Sequence, residues 1–266
     1  MMRTAQVNGV SIAYRDTGSG PAVVFLHGHP FDQSMWEPQV AALSTKYRVV
    51  TLDLRGYGAS EVPAVEATTL ETMATDVNAL LDHLHIDRTA VAGLSMGGQV
   101  AMAFADLFPE RLSGLILAAT FPEADTAEVR SSRRATADRF VNEGSVVPGG
   151  EMLPRLLAPA SLKRNPALAV KVFTMIANAP PAGAAAALRG RAQRKNYAPT
   201  LRALAVPALI AVGTEDKYVS LETARKMQAS IPSAQLEVFD GIGHLPNLEA
   251  PEHFNAVLHQ YLAPLG

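Results

Sequence analysis

The pentapeptide Gly93-Leu94-Ser95-Met96-Gly97 sets a serine hydroxyl between two glycines. Such a hydroxyl attacks a carbonyl at neutral pH only when a base takes its proton and the chain exposes its oxygen. The flanking residues supply that exposure. The apolar run Thr89 to Ala92 reads as a buried strand, and the stretch from Met96 to Phe108 reads as a helix, so Ser95 falls at a strand-to-helix turn. Gly93 and Gly97, with Gly98 behind them, leave room where strand and helix backbones approach closely. A serine at a helix N-terminus also has free N–H groups and the helix dipole beside it, both of which favour a developing oxyanion. A chance glycine-rich turn would lack this setting.

The elements that must hold such a turn are legible in the apolar pattern. Asn8-Gly9 between the alternating runs Arg3 to Val7 and Ser11 to Tyr14 predicts a two-residue hairpin. Compact runs rich in Val, Ile and Leu follow: Ala22 to Leu26, Tyr47 to Leu52, Thr89 to Ala92, Leu112 to Ala118, Val206 to Val212 and Leu236 to Phe239. They predict buried strands, and amphipathic stretches such as Leu70 to Leu84 between them predict helices packed on a parallel sheet. The alternation stops between Thr120 and about Thr200. There, helical patches at Ala127 to Phe140, Glu151 to Leu157 and Ala167 to Ala177 are punctuated by prolines, which predicts a helical insertion between two strands. This insertion holds twelve Lys and Arg against six Asp and Glu, a basic segment in a chain whose net charge is -2.

Over nearly its whole length the chain resembles the α/β-hydrolase superfamily, with the insertion where that family carries its cap. The stretch His27-Gly28-His29-Pro30-Phe31-Asp32-Gln33-Ser34-Met35-Trp36, followed by Gly93 to Gly98, is similar to small bacterial carboxylesterases, 3-oxoadipate enol-lactonases and perhydrolases. The resemblance implies an α/β fold: a mostly parallel central sheet with helices on both faces, a core of 1–120 and 200–266, and a helical cap of 121–199. It implies that His244, in Gly241-Ile242-Gly243-His244, is the base, and that Asp216, in Gly213-Thr214-Glu215-Asp216, orients it. Glu215 is the close rival, since one of two adjacent turn residues should face His244 and the other solvent. The backbone N–H groups of Met96 and His29 are the expected oxyanion donors. The side chain of His29 is read either as entering the pocket or as structural, and His27 as stabilising its turn. Phe31, Phe140, Met152, Phe173, Ile176 and Leu245 are candidate pocket residues. Arg55, after the strand ending at Leu52, is read as part of a structural turn rather than as a substrate anchor.

Composition narrows the remaining classes. A net charge of -2 supplies no field for nucleic acid, and the absence of cysteine removes disulfides and thiolate chemistry. No apolar run reaches membrane-spanning length, and the N-terminus lacks a secretory pattern, so the expectation is a soluble cytoplasmic protein that binds neither nucleic acid nor membrane. The expected partner is a small ester or lactone, with no cofactor or metal; the oligomeric state is left open. The expected activity is that of a carboxylesterase-type serine hydrolase. An enol-lactonase acting on a carboxylate-bearing lactone, a perhydrolase and a C–C bond hydrolase use the same three residues and remain alternatives. A non-catalytic receptor or scaffold would be expected to lose one of the three, and none is missing.

Overall fold

The computed structural model describes residues 1–265; Gly266, at the end of the expected core range, lies outside the described residues. Eight strands form one sheet: β1 (Arg3–Val7), β2 (Val10–Thr17), β3 (Ala22–Leu26), β4 (Arg48–Leu52), β5 (Thr89–Leu94), β6 (Leu112–Ala118), β7 (Ala208–Gly213) and β8 (Ala234–Phe239). They pair in the order β1-β2-β4-β3-β5-β6-β7-β8. β1, β2 and β4 pair antiparallel, and the rest run parallel. The hairpin closes with Val7 opposite Val10, and Asn8 and Gly9 both take positive φ, +46° and +78°, the backbone that a two-residue turn requires.

Twelve helices are described: α1 (Glu37–Leu43), α2 (Leu70–His83), α3 (Met96–Leu107), α4 (Ala127–Glu143), α5 (Val146–Leu156), α6 (Pro159–Arg164), α7 (Pro166–Asn178), α8 (Pro181–Arg191), α9 (Ala198–Arg202), α10 (Leu221–Ser230), α11 (Pro246–Glu249) and α12 (Pro251–Leu262). The period-two geometry of a strand sends successive side chains to opposite faces. Val24, Leu26, Val91, Leu117 and Ile210 therefore join one core with α2 and α3, while Val23, Phe25, Ala92, Ile116 and Leu209 join a second core with Trp36 and α12. Both faces of the central strands are buried, which is why they read as continuous apolar runs. Six helices, α4 to α9, lie between β6 and β7, in the stretch where the strand pattern is absent. Among the described residues no helix is long and apolar enough to cross a membrane.

Candidate active site

Ser95 caps α3 with φ +55° and ψ -111°, a conformation that costs about 1–3 kcal/mol in a residue other than glycine. Surrounding bonds hold it there. Its N–H donates to the Ala118 carbonyl at 2.9 Å, and its own carbonyl accepts from the Gln99 N–H at 3.1 Å and from the Thr120 hydroxyl at 2.8 Å. The neighbouring glycines are required by contact: a Cβ at Gly93 would sit 2.2 Å from the Gly97 carbonyl oxygen, and one at Gly97 would sit 2.1 Å from that of Leu26. The turn thus presses the N-terminus of α3 against the carboxyl end of β3.

The loops beyond β7 and β8, also at carboxyl ends of strands, bring Asp216 and His244 together. His244 Nδ1 lies 2.9 and 3.0 Å from the two carboxylate oxygens of Asp216, and the two side chains are 4% and 0% exposed. Asp216 Oδ1 also accepts from the N–H groups of Tyr218 and Val219, at 2.7 and 3.1 Å. Glu215 instead points outward and pairs with Lys217 at 3.5 Å on the surface. The ring of Tyr218 lies 4.8 Å from that of His244, and the Arg155 guanidinium carbon lies 4.6 Å from the centre of the Tyr218 ring. His244 is further fixed by its own N–H, which donates to the Leu156 carbonyl at 2.9 Å.

Ser95 and His244 line one cavity of about 440 Å³, and His29 shares its wall. Core residues Gln99, Thr120 and Tyr218 form part of this wall; α4, α5 and α8 supply Arg133, Met152, Arg155, Leu188 and Arg191. Among the described residues neither the His29 nor the Met96 N–H donates a hydrogen bond within the protein. The His29 side chain is buried beside the site: its Nδ1 lies 2.7 Å from the Tyr57 hydroxyl, and its Nε2 has no partner. Burial, with Arg191, Arg133 and His27 nearby, lowers its pKa well below the usual histidine range. His27 is an internal strut, since its Nδ1 lies 2.8 Å from the Gly28 carbonyl and its Nε2 accepts from the Leu54 N–H at 2.9 Å. Arg55 is occupied by a buried ion pair with Asp76.

Of the six expected pocket residues, only Met152 lines the cavity. Phe31, Ile176 and Leu245 are buried in the core beneath the sheet's second face, and Phe140 is buried in the first, with its ring 5.4 Å from that of His29. Phe173 is half-buried on α7, beside Gly150. Large apolar side chains on these helices are used up in packing the helices onto each other and onto the sheet, which corrects the sequence reading. The cavity wall is more polar than expected, and Gln99, Arg133, Arg191 and Tyr218 were not anticipated. The spacing of Gln99, four residues after Ser95 and so one helical turn on, is the signal that could have found it.

A family model for the alpha/beta hydrolase fold matches residues 21–251. The chain is 32% identical to 3-oxoadipate enol-lactonase 1 of Acinetobacter baylyi, over 96% of this chain and 93% of that protein. Its fold superposes on the malate-bound thermophilic esterase of Thermogutta terrifontis with a TM-score of 0.96 and 36% identity, covering 100% of this chain and 99% of that one. The enol-lactonase of Burkholderia xenovorans LB400 gives a TM-score of 0.91 at 30% identity, covering 98% and 100%. Sheet order, strand-to-helix turn and relatives agree: the chain belongs to the α/β-hydrolase fold family, with esterases and enol-lactonases among its relatives.

Proposed function

We propose that this protein hydrolyses carboxylic esters or lactones through an acyl-enzyme on Ser95, with His244 as base and then acid and Asp216 as its orienting partner. The observation that carries this reading is the shared cavity wall of Ser95 and His244, with His244 Nδ1 held on the buried Asp216 carboxylate. A carboxylate on Nδ1 fixes the proton there, leaves Nε2 free to take the serine proton, and stabilises the imidazolium that results. Attack by the Ser95 oxygen turns the carbonyl oxygen into an oxyanion, which the undonated N–H groups of His29 and Met96 would meet. Losing one such donor typically costs about 10²–10³-fold in rate. Collapse expels the alcohol, protonated by His244, and water activated by the same imidazole releases the acid and restores Ser95.

The helices from α4 to α8 act, in this reading, as a cap of 121–199 over a core of 1–120 and 200–266, and α9 crosses the boundary. Esters and lactones are kept together because the relatives include an esterase and enol-lactonases, and ring opening differs from ester cleavage only in that the alcohol stays attached. A fluorophosphonate probe tests the reading. Labelling of the wild-type protein that disappears in Ser95→Ala supports it; label that survives the substitution contradicts it.

A further inference from the structure

The cavity wall carries four cationic side chains, Arg133, Arg155, Arg191 and Lys217, and no Asp or Glu. Three of the four have protein partners. Arg133 Nε is 2.6 Å from Asp125, Lys217 is paired with Glu215, and Arg155 lies over the Tyr218 ring. Arg191 is different. It is buried, enters no salt bridge, and makes a single side-chain hydrogen bond among the described residues, from Nε to Gln99 Oε1 at 3.0 Å. The one buried carboxylate of this cluster, Asp125, is already shared by Arg133 and by Arg194, whose Nη1 lies 2.7 Å away. Arg133 and Arg194 therefore occupy the one buried carboxylate, and Arg191, on the cavity wall, is left without an anionic partner among the described residues.

We propose that Arg191 anchors a carboxylate carried by the substrate, so that the enzyme acts on esters or lactones that keep one free carboxylate; this rests on Ser95 being the nucleophile. With Nε held by Gln99, both terminal nitrogens of Arg191 remain to grip a carboxylate as a fork. Burial and the flanking charges of Arg133 and Arg194 disfavour the charged form of Arg191, and an arriving carboxylate relieves that penalty. Gln99, which holds the anchor, follows Ser95 by four residues on α3, about 6 Å along the helix axis, and Arg191 and Ser95 line the same cavity, so one substrate can meet both.

The test compares each anionic ester with its neutral analogue: monomethyl glutarate against dimethyl glutarate, and O-acetyl-lactate against its methyl ester. Each kcat/KM is divided by that ester's alkaline hydrolysis rate to remove intrinsic reactivity. The wild-type protein should favour at least one anionic member by about tenfold or more, and Arg191→Gln should lower that ratio by about 10- to 100-fold. Arg191→Lys should fall between them. A ratio is independent of how much of a buried-site variant folds. Lys163→Gln, which removes an exposed charge outside the cavity, should leave the ratio unchanged; an equal drop there would mean a general field rather than an anchor and overturn the proposal. Absence of anionic preference in the wild type, or a ratio untouched by Arg191→Gln, would do the same. Loss of all hydrolysis in Ser95→Ala keeps the underlying reading standing in either case, while hydrolysis surviving Ser95→Ala would remove it. Which pair shows the preference tells whether the carboxylate sits on the acyl or the alcohol side.

Discussion

Two adjacent carboxylates meet opposite fates beyond β7. The Glu215 N–H donates to the Ile242 carbonyl, and its side chain turns to solvent beside Lys217. Asp216 turns inward, where two backbone N–H groups and the His244 ring occupy its oxygens. An amide at 216 would keep the shape but offer an N–H or a neutral oxygen to Nδ1, which favours the wrong tautomer. Asp216→Asn should lower kcat/KM for a simple ester by about 10⁴-fold, whereas Glu215→Gln should change it by less than about twofold, both read by steady-state kinetics. Wild-type activity in Asp216→Asn would contradict the orienting role. At this scale the strand-to-helix turn around Ser95 is legible from its glycine spacing, and the meeting of His244 with Asp216 from the family resemblance. The pocket lining was not, because nothing in the spacing of Phe140 or Ile176 separates a residue facing a cavity from one facing a neighbouring helix. Arg191 was hidden for the converse reason: a basic helical segment looks alike whether its arginines are solvated or buried.

At the scale of elements, the segment joining α5 to α6 is tied directly to the histidine loop. Leu156 accepts from the His244 N–H, and the Ala158 N–H donates to Glu249 at 2.9 Å. The other oxygen of Glu249 accepts from the Leu245 N–H at 3.2 Å. One buried carboxylate thus bridges the inserted helices and the residue that follows His244. Glu249→Ala would leave two buried N–H groups unpaired, at about 1–3 kcal/mol each, and loosen the loop. A lowered thermal midpoint together with a fall in kcat is expected; an unchanged midpoint would show that water replaces the carboxylate without loss. Most of the scaffold was readable from periodicity, with boundaries moved by a residue or two: the strand expected from Val206 begins at Ala208, and that expected from Leu236 begins at Ala234. α8 leaves no amphipathic stripe in the sequence: the run from Gly183 to Leu188 is buried all round, and the Pro180-Pro181 pair sits at the helix start, where proline is tolerated.

For the whole molecule, two internal imidazoles make the fold sensitive to acid. Burial lowers the pKa of His27 and His29 in the folded protein from the ordinary value of 6.5. Below that pH the unfolded chain takes up protons that the folded chain refuses, so stability falls as pH drops through 6.5 and onward toward the folded-state values. Two such groups give a slope of up to about 2.7 kcal/mol per pH unit. Thermal unfolding should therefore show a midpoint that declines from mildly acidic pH downward; a midpoint that rises on acidification would contradict this. If the fold delivers a covalent acyl-enzyme at Ser95, rapid quenching of a p-nitrophenyl ester reaction followed by peptide mass analysis should show a burst of p-nitrophenol and an acyl mass on the peptide that contains Ser95, both absent in Ser95→Ala. Turnover with no acylated peptide, or acylation at another residue, would overturn the acyl-enzyme.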